Sequence, residues 1–240
     1  LQKELSVIIP AYNEEAAVGA TLKEVAEYLL HRGYEFEIIV ISDGSADSTA
    51  DRVRAVARDI PQIRLIARKE NIGKGRTVKE GIGYARFGHC LFMDADNSTT
   101  INEWEKFERL FDAGYPVVIA SRQLPGSNII HPQPCIRRFL GGGYRALCRG
   151  LFGLDASDFN CGFKAYETAI AKEIYATLQM TDWTFDVEVF CALKARGIRF
   201  AEAPVAWTHA DKKSAIAPFK TAFASLANVI RLKQRLVRGR

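Results

Sequence analysis

Long apolar runs are missing from this 240-residue chain. No stretch approaches the ~18 residues that a membrane-crossing helix needs. No signal-peptide pattern opens it either. It begins at Leu1 instead of Met, which is compatible with a preceding segment, a membrane anchor included. Cysteine is scarce and odd in number: Cys90, Cys135, Cys148, Cys161 and Cys191, with no C-x-x-C pair. That argues against a disulfide framework or zinc site and favours a reducing compartment. The four histidines, His31, His89, His131 and His209, are scattered and suggest no Ser/His/Asp constellation. Repeats and low-complexity tracts are absent. Acidic residues are missing from positions 212–240, which hold eight Lys/Arg, while the rest carries 25 basic against 28 acidic side chains. The basic residues lack aromatic interleaving, which argues against nucleic-acid binding.

What is present alternates. Leu5–Pro10, Phe36–Ile41, Ile63–Ala67 and Cys90–Met93 are short apolar runs, as strands buried on both faces require. Between them, Glu14–Leu30, Ser48–Arg58 and Gly75–Phe87 have helical spacing. This order predicts an α/β fold with a mainly parallel sheet and ligands bound beyond the strands' carboxyl ends. The second half predicts a strand at Val117–Ala120, a loop over 121–135, helices at Arg137–Phe152 and Phe185–Lys194, and a strand at Phe200–Ala206. One domain is expected over residues 1–211, followed by a basic amphipathic helix over 212–240. Its apolar stripe is Phe219, Phe223, Leu226, Ile230 and Val237, and it either lies on a membrane surface or packs on the core.

Polar clusters sit at three strand ends: Tyr12-Asn13-Glu14, Asp43-Gly44-Ser45 and Asp94-Ala95-Asp96. Two carboxylates one residue apart after a buried strand suit a hard cation, Mg²⁺ or Mn²⁺, which bridges to a diphosphate. The plain alternative is a solvated turn. A buried Asp43 can accept from a base's N–H, while Asp47 or Ser48 caps the next helix. Asn71-Ile72-Gly73-Lys74-Gly75 lacks Walker A spacing but puts Lys74 within reach of a phosphate, or else is a helix-entry turn. Arg122, Arg137 and Arg138 flank the irregular loop and suit two-pronged phosphate contacts, or surface solvation.

Together these stretches resemble the inverting, family-2 glycosyltransferases of GT-A fold, over nearly the whole chain. Within that family the chain is most similar to the dolichyl- and polyprenyl-phosphate β-glucosyltransferases, then to dolichyl-phosphate mannose synthases. VIIPAYNEE (7–15), DGSADST (43–49), NIGKG (71–75), MDADNST (93–99), ASR (120–122), SDFNCGFKAY (157–166) and WTFDVE (183–188) carry the resemblance. It implies that Pro10, Tyr12 and Glu14 line a nucleoside pocket and that Asp43 meets the base. Lys74 supports the donor. Asp94 and Asp96 hold the metal and diphosphate. Arg122 with Arg137 or Arg138 takes the acceptor phosphate. Asp186 falls where members with sugar-hydroxyl acceptors place a general base. The implied donors are UDP-glucose or GDP-mannose, and the implied acceptor is a polyprenyl phosphate at the cytoplasmic face of a membrane. Ser42 stands where the family usually has a first aspartate, which loosens the inference about the nucleotide. The Q-x-x-R-W motif of processive polymerases is absent. A hydroxyl-acceptor transferase, a nucleotide-binding module and a nucleotidyltransferase remain as alternatives. The last should carry a basic glycine-rich loop near strand one, where PAYNEE stands instead.

Overall fold

The computed structural model of the chain describes residues 2–131, 134–209 and 218–238, with backbone alone for Arg137 and residues 218–224. The alternation of runs becomes β1 (Glu4–Ala11), α1 (Val18–His31), β2 (Glu35–Ser42), α2 (Thr49–Asp59), β3 (Ile63–Ala67), α3 (Lys74–Tyr84) and β4 (His89–Met93). The second half adds α4 (Trp104–Asp112), β5 (Val117–Ser121), β6 (Asn128–His131), α5 (Cys135–Phe152), β7 (Phe163–Glu167), α6 (Thr168–Thr177), α7 (Phe185–Ala195), β8 (Ala201–Pro204), β9 (Ala206–Thr208) and α8 (Pro218–Arg238).

Seven strands form one sheet in the order β3-β2-β1-β4-β7-β5-β8. All neighbours are parallel except β7, which runs antiparallel to both β4 and β5. Side chains alternate across the sheet. On one face Val7, Ile9 and Val40 meet Leu22 and Val25 of α1 and Trp104 and Phe107 of α4. On the other, Ile8 and Phe92 meet Val78 and Ile82 of α3 and Phe185 and Phe190 of α7. Both faces are covered, so β1 and β2 can be apolar throughout.

Several elements differ from the sequence reading, which placed nothing at α4, β7 or α6. The strand expected at Phe200–Ala206 breaks at Val205, and β9 leaves to pair with β6 in a separate two-stranded sheet. That sheet lies partly inside the expected loop. The tail is helical over Pro218–Arg238, but its buried residues among those described are Val229 and Leu232, while Leu226, Ile230 and Val237 of the expected stripe are exposed. Helix α8 therefore packs on α5 and α7 with one apolar face and presents a second outward. Lys233 Nζ donates to the Leu151 carbonyl at 2.7 Å, and Arg235 pairs with Glu188. The side chains of Phe219, Phe223 and Lys220, and the expected boundary at 211/212, lie outside what is described. No described helix is long and apolar enough to cross a membrane.

Candidate active site

The three polar strand ends meet along one edge of the sheet. Asn13 and Asn97, the non-glycine residues with left-handed backbone among those described (φ 55° and 56°), sit at two of them. Asparagine tolerates that region best of the side-chain-bearing residues. Each also locks its turn: Asn13 Oδ1 accepts from Ala46 N at 2.9 Å, and Asn97 Nδ2 donates to Glu24 at 2.6 Å. Pro10 lies in β1 opposite Ile41, Tyr12 is half exposed beyond it, and Glu14 N donates to Thr49 Oγ1 at 2.7 Å. Buried Ser42 donates to Ser45 Oγ at 3.0 Å, so the serine that departs from the family pattern braces the β2 turn.

Buried Asp43 accepts from Arg68 Nη1 (2.8 Å), Ile72 N (3.1 Å) and Gly73 N (3.0 Å). Its first task is to build the glycine turn that opens α3, and Arg68, which sequence reading missed, shares it. The glycines serve the chain itself. A Cβ on Gly73 would meet Thr181 O at 2.4 Å, and one on Gly75 would meet Met180 O at 2.6 Å. Gly75 N also donates to Thr181 O at 2.9 Å. The backbone on either side of Lys74 is thereby fixed.

Lys74 Nζ lies 2.6 Å from Asp94 Oδ1, 4.4 Å from the ring centre of half-exposed Trp183 and 5.3 Å from that of Phe92. Burial opposes its charge, yet Asp94, Asp186 and Asp96 together hold its pKa above the ordinary lysine value. Asp94 rests directly on Gly162: a Cβ there would fall 1.9 Å from Oδ2, and Asp94 N donates to Gly162 O at 3.0 Å. Asp96 Oδ1 accepts from Ser98 N at 3.1 Å. Deeper in, Asp186 and Lys164 form an ion pair of 2.6 Å, both fully buried. Asn160 lies 3.4 Å from the other carboxylate oxygen. Burial raises the Asp186 pKa, against the pull of Lys164 and Lys74.

Arg122 is committed inside the protein. Its Nε and Nη2 lie 2.7 and 2.9 Å from the two oxygens of buried Asp158, and its guanidinium lies 5.2 Å from the Trp207 ring centre. The two-pronged edge expected to grip a phosphate is used on Asp158, leaving Nη1. Arg145 of α5 adds a cation that sequence reading missed. It donates to Gln123 at 3.2 Å, and burial and Arg122 depress its pKa against the pull of Asp158. Arg138 is exposed on the first turn of α5. Arg137 has no described side chain.

No group of three His, Cys, Asp or Glu side chains is arranged to hold a metal among the described residues. Two hard carboxylates nonetheless fit Mg²⁺ or Mn²⁺, which take one or two carboxylates and complete their shell with substrate phosphate and water. The ammonium seated on Asp94 marks that carboxylate as a place for a cation.

Comparison with known proteins places the chain in a family. The sequence profile described as "Glycosyl transferase family 2" matches residues 6–175. A dolichyl-phosphate beta-glucosyltransferase of Dictyostelium discoideum is 33% identical, over 98% of this chain and 75% of that protein. One from Trichomonas vaginalis is 35% identical, over 83% of this chain and 62% of its own length. The human protein of that name is 30% identical, over 90% of this chain and 71% of its length. Among solved structures, mannosyl-3-phosphoglycerate synthase from Rubrobacter xylanophilus superposes with a TM-score of 0.71 at 16% identity, over 98% of this chain and 75% of that one. Glucosyl-3-phosphoglycerate synthase from Mycobacterium tuberculosis, in complex with Mn²⁺, UDP-glucose and phosphoglyceric acid, gives 0.66 at 17% identity, over 95% and 79%. With a matching profile over most of its length, relatives at this identity and the same fold, the chain belongs to glycosyl transferase family 2.

Proposed function

We propose that this enzyme moves glucose from UDP-glucose to a polyprenyl phosphate of dolichyl type, with inversion, giving a β-linked lipid-phosphate sugar. The relatives named above act, by their names, on dolichyl phosphate. The observation that carries the choice of acceptor is the state of Asp186. A hydroxyl acceptor needs a general base within reach of its proton. Asp186 is 2% exposed and held at 2.6 Å by Lys164, which turns it toward the core. A phosphate acceptor is already anionic and needs no base.

The remaining task is to bring two anions together, and the chain's cations suit it. Lys74 and the Asp94/Asp96 pair serve the donor side. A divalent metal held there supplies charge neutralisation on the leaving diphosphate. Arg122 Nη1, Arg145 and Arg138 serve the acceptor side, where catalysis is positioning and charge stabilisation. The outward residues Leu226, Ile230 and Val237 of α8, with exposed Ile136 and Phe139 of α5, suit a peripheral position on the cytoplasmic face of a membrane.

Incubating the protein with a panel of UDP- and GDP-sugars, a short polyprenyl phosphate and Mg²⁺ or Mn²⁺, and weighing the products, tests this. Hexosyl phosphoprenol from UDP-glucose is expected. Product from GDP-mannose alone would move the donor assignment, and product with saccharide acceptors alone would overturn the acceptor assignment.

A further inference from the structure

Two lysine–aspartate pairs lie side by side in the site, and they differ in freedom. Lys164 and Asp186 have side chains 0% and 3% exposed. Lys74 and Asp94 are 18% and 30% exposed. The backbone of Lys74 is pinned on both sides, by Asp43 at Gly73 N and by Thr181 O at Gly75 N. Asp94 is pinned too, because its carboxylate lies against Gly162. What can move is the four-carbon stem of Lys74 and its ammonium. That ammonium sits 2.6 Å from an oxygen of the carboxylate proposed above to hold the metal. A metal and an ammonium cannot both hold that oxygen at close range, since like charges repel strongly in a half-buried site.

We propose that Lys74 is the resident cation of the Asp94 seat and exchanges with the metal when the donor diphosphate arrives. Without a nucleotide, the ammonium holds Asp94 and keeps free metal out. With one, the diphosphate gives the ammonium a new partner, and Asp94 is released to the metal. Metal and nucleotide binding are then coupled through one side chain, and linkage makes the coupling reciprocal. The inference rests on the metal reading of Asp94 and Asp96 above, and adds why the metal should enter with the nucleotide.

The test is Mn²⁺ binding followed by electron paramagnetic resonance, with and without UDP (GDP in parallel), on wild type, Lys74→Gln and Lys74→Met. Gln keeps a hydrogen bond for Asp94 and drops the charge, while Met keeps the stem, so either variant alone decides the matter if the other does not fold. UDP is expected to tighten Mn²⁺ binding markedly in wild type. In the variants Mn²⁺ alone should bind roughly tenfold tighter, and the enhancement by UDP should shrink by at least about tenfold. If the variants bind Mn²⁺ tighter by the same factor with and without UDP, Lys74 acts as a distant charge and the exchange is overturned. Unchanged Mn²⁺ binding in both conditions overturns it as well. Wild type that takes up no Mn²⁺ even with a nucleotide sinks the metal reading itself, and the exchange with it.

Discussion

Single residues decide how the site is held. The Arg122–Asp158 pair is two-pronged, with Asp158 buried and Arg122 mostly covered, so losing one partner strands the other charge. Burial works against the Asp158 carboxylate, but Arg122 wins and holds its pKa below the ordinary value. A depressed carboxylate stabilises the fold above its unfolded pKa and loses that contribution as pH falls through the folded one. Asp158→Asn should therefore cost roughly 3–5 kcal/mol at pH 7. The gap to wild type should begin to narrow below about pH 4, where Asp158 of the unfolded chain takes up a proton, and should narrow further as pH falls toward the lower folded value. Urea melts at pH 7 and pH 3 would show this, and a gap constant with pH would refute it. Gly162 makes a second residue-scale case. Gly162→Ala should push Asp94 aside and weaken Mn²⁺ uptake with UDP, with an overpacking cost of roughly 1–3 kcal/mol. In an Asp94→Ala background the same change has room, so its cost in melting temperature should nearly vanish. An equal cost in both backgrounds would mean that Gly162 serves something other than Asp94.

Among the elements, those that sequence displayed best are the ones whose burial is simplest. Strands β1, β2 and β4 are covered on both faces, so their residues read as unbroken apolar runs, and the turns after them carry the polar clusters. Strand β7 gave no such run, because Phe-Lys-Ala-Tyr-Glu interrupts it with buried Lys164 at its second position. The partner that makes this lysine tolerable, Asp186, lies 22 residues away. The same separation hid the fate of Arg122, whose carboxylate is 36 residues distant. Asp94, Asp96 and Lys74 could be singled out from local pattern, whereas Gly162, Trp183 and Asp158 gain meaning only once strands bring them together. In α8 the helix itself was legible and its inward face was not, because Val229 and Leu232 lie between the more obvious apolar positions. Its two faces should respond differently to substitution. Leu232→Ala should cost roughly 2–5 kcal/mol. Leu226→Ser with Ile230→Ser should leave the melting temperature nearly unchanged but weaken co-sedimentation with anionic vesicles. If the serine pair sediments like wild type, the outward face has no lipid role.

At the scale of the whole molecule, the order of assembly follows from where β7 lies. Strands β1 to β4 are contiguous in sequence, with helical crossovers, and their mutual contacts are local by the standards of a parallel sheet. The chain then makes β5 without placing it beside β4, because β7 fills the gap between them. A growing or refolding chain must therefore keep the edge of β4 open until residues 163–167 arrive, and open edges are where chains pair wrongly. Closing that gap also brings in Gly162 and, two residues on, Lys164. The last strand to enter the middle of the sheet thus finishes the core and the catalytic edge in the same event, so a half-folded enzyme should be an inactive one, with no partly formed site to bind a donor unproductively.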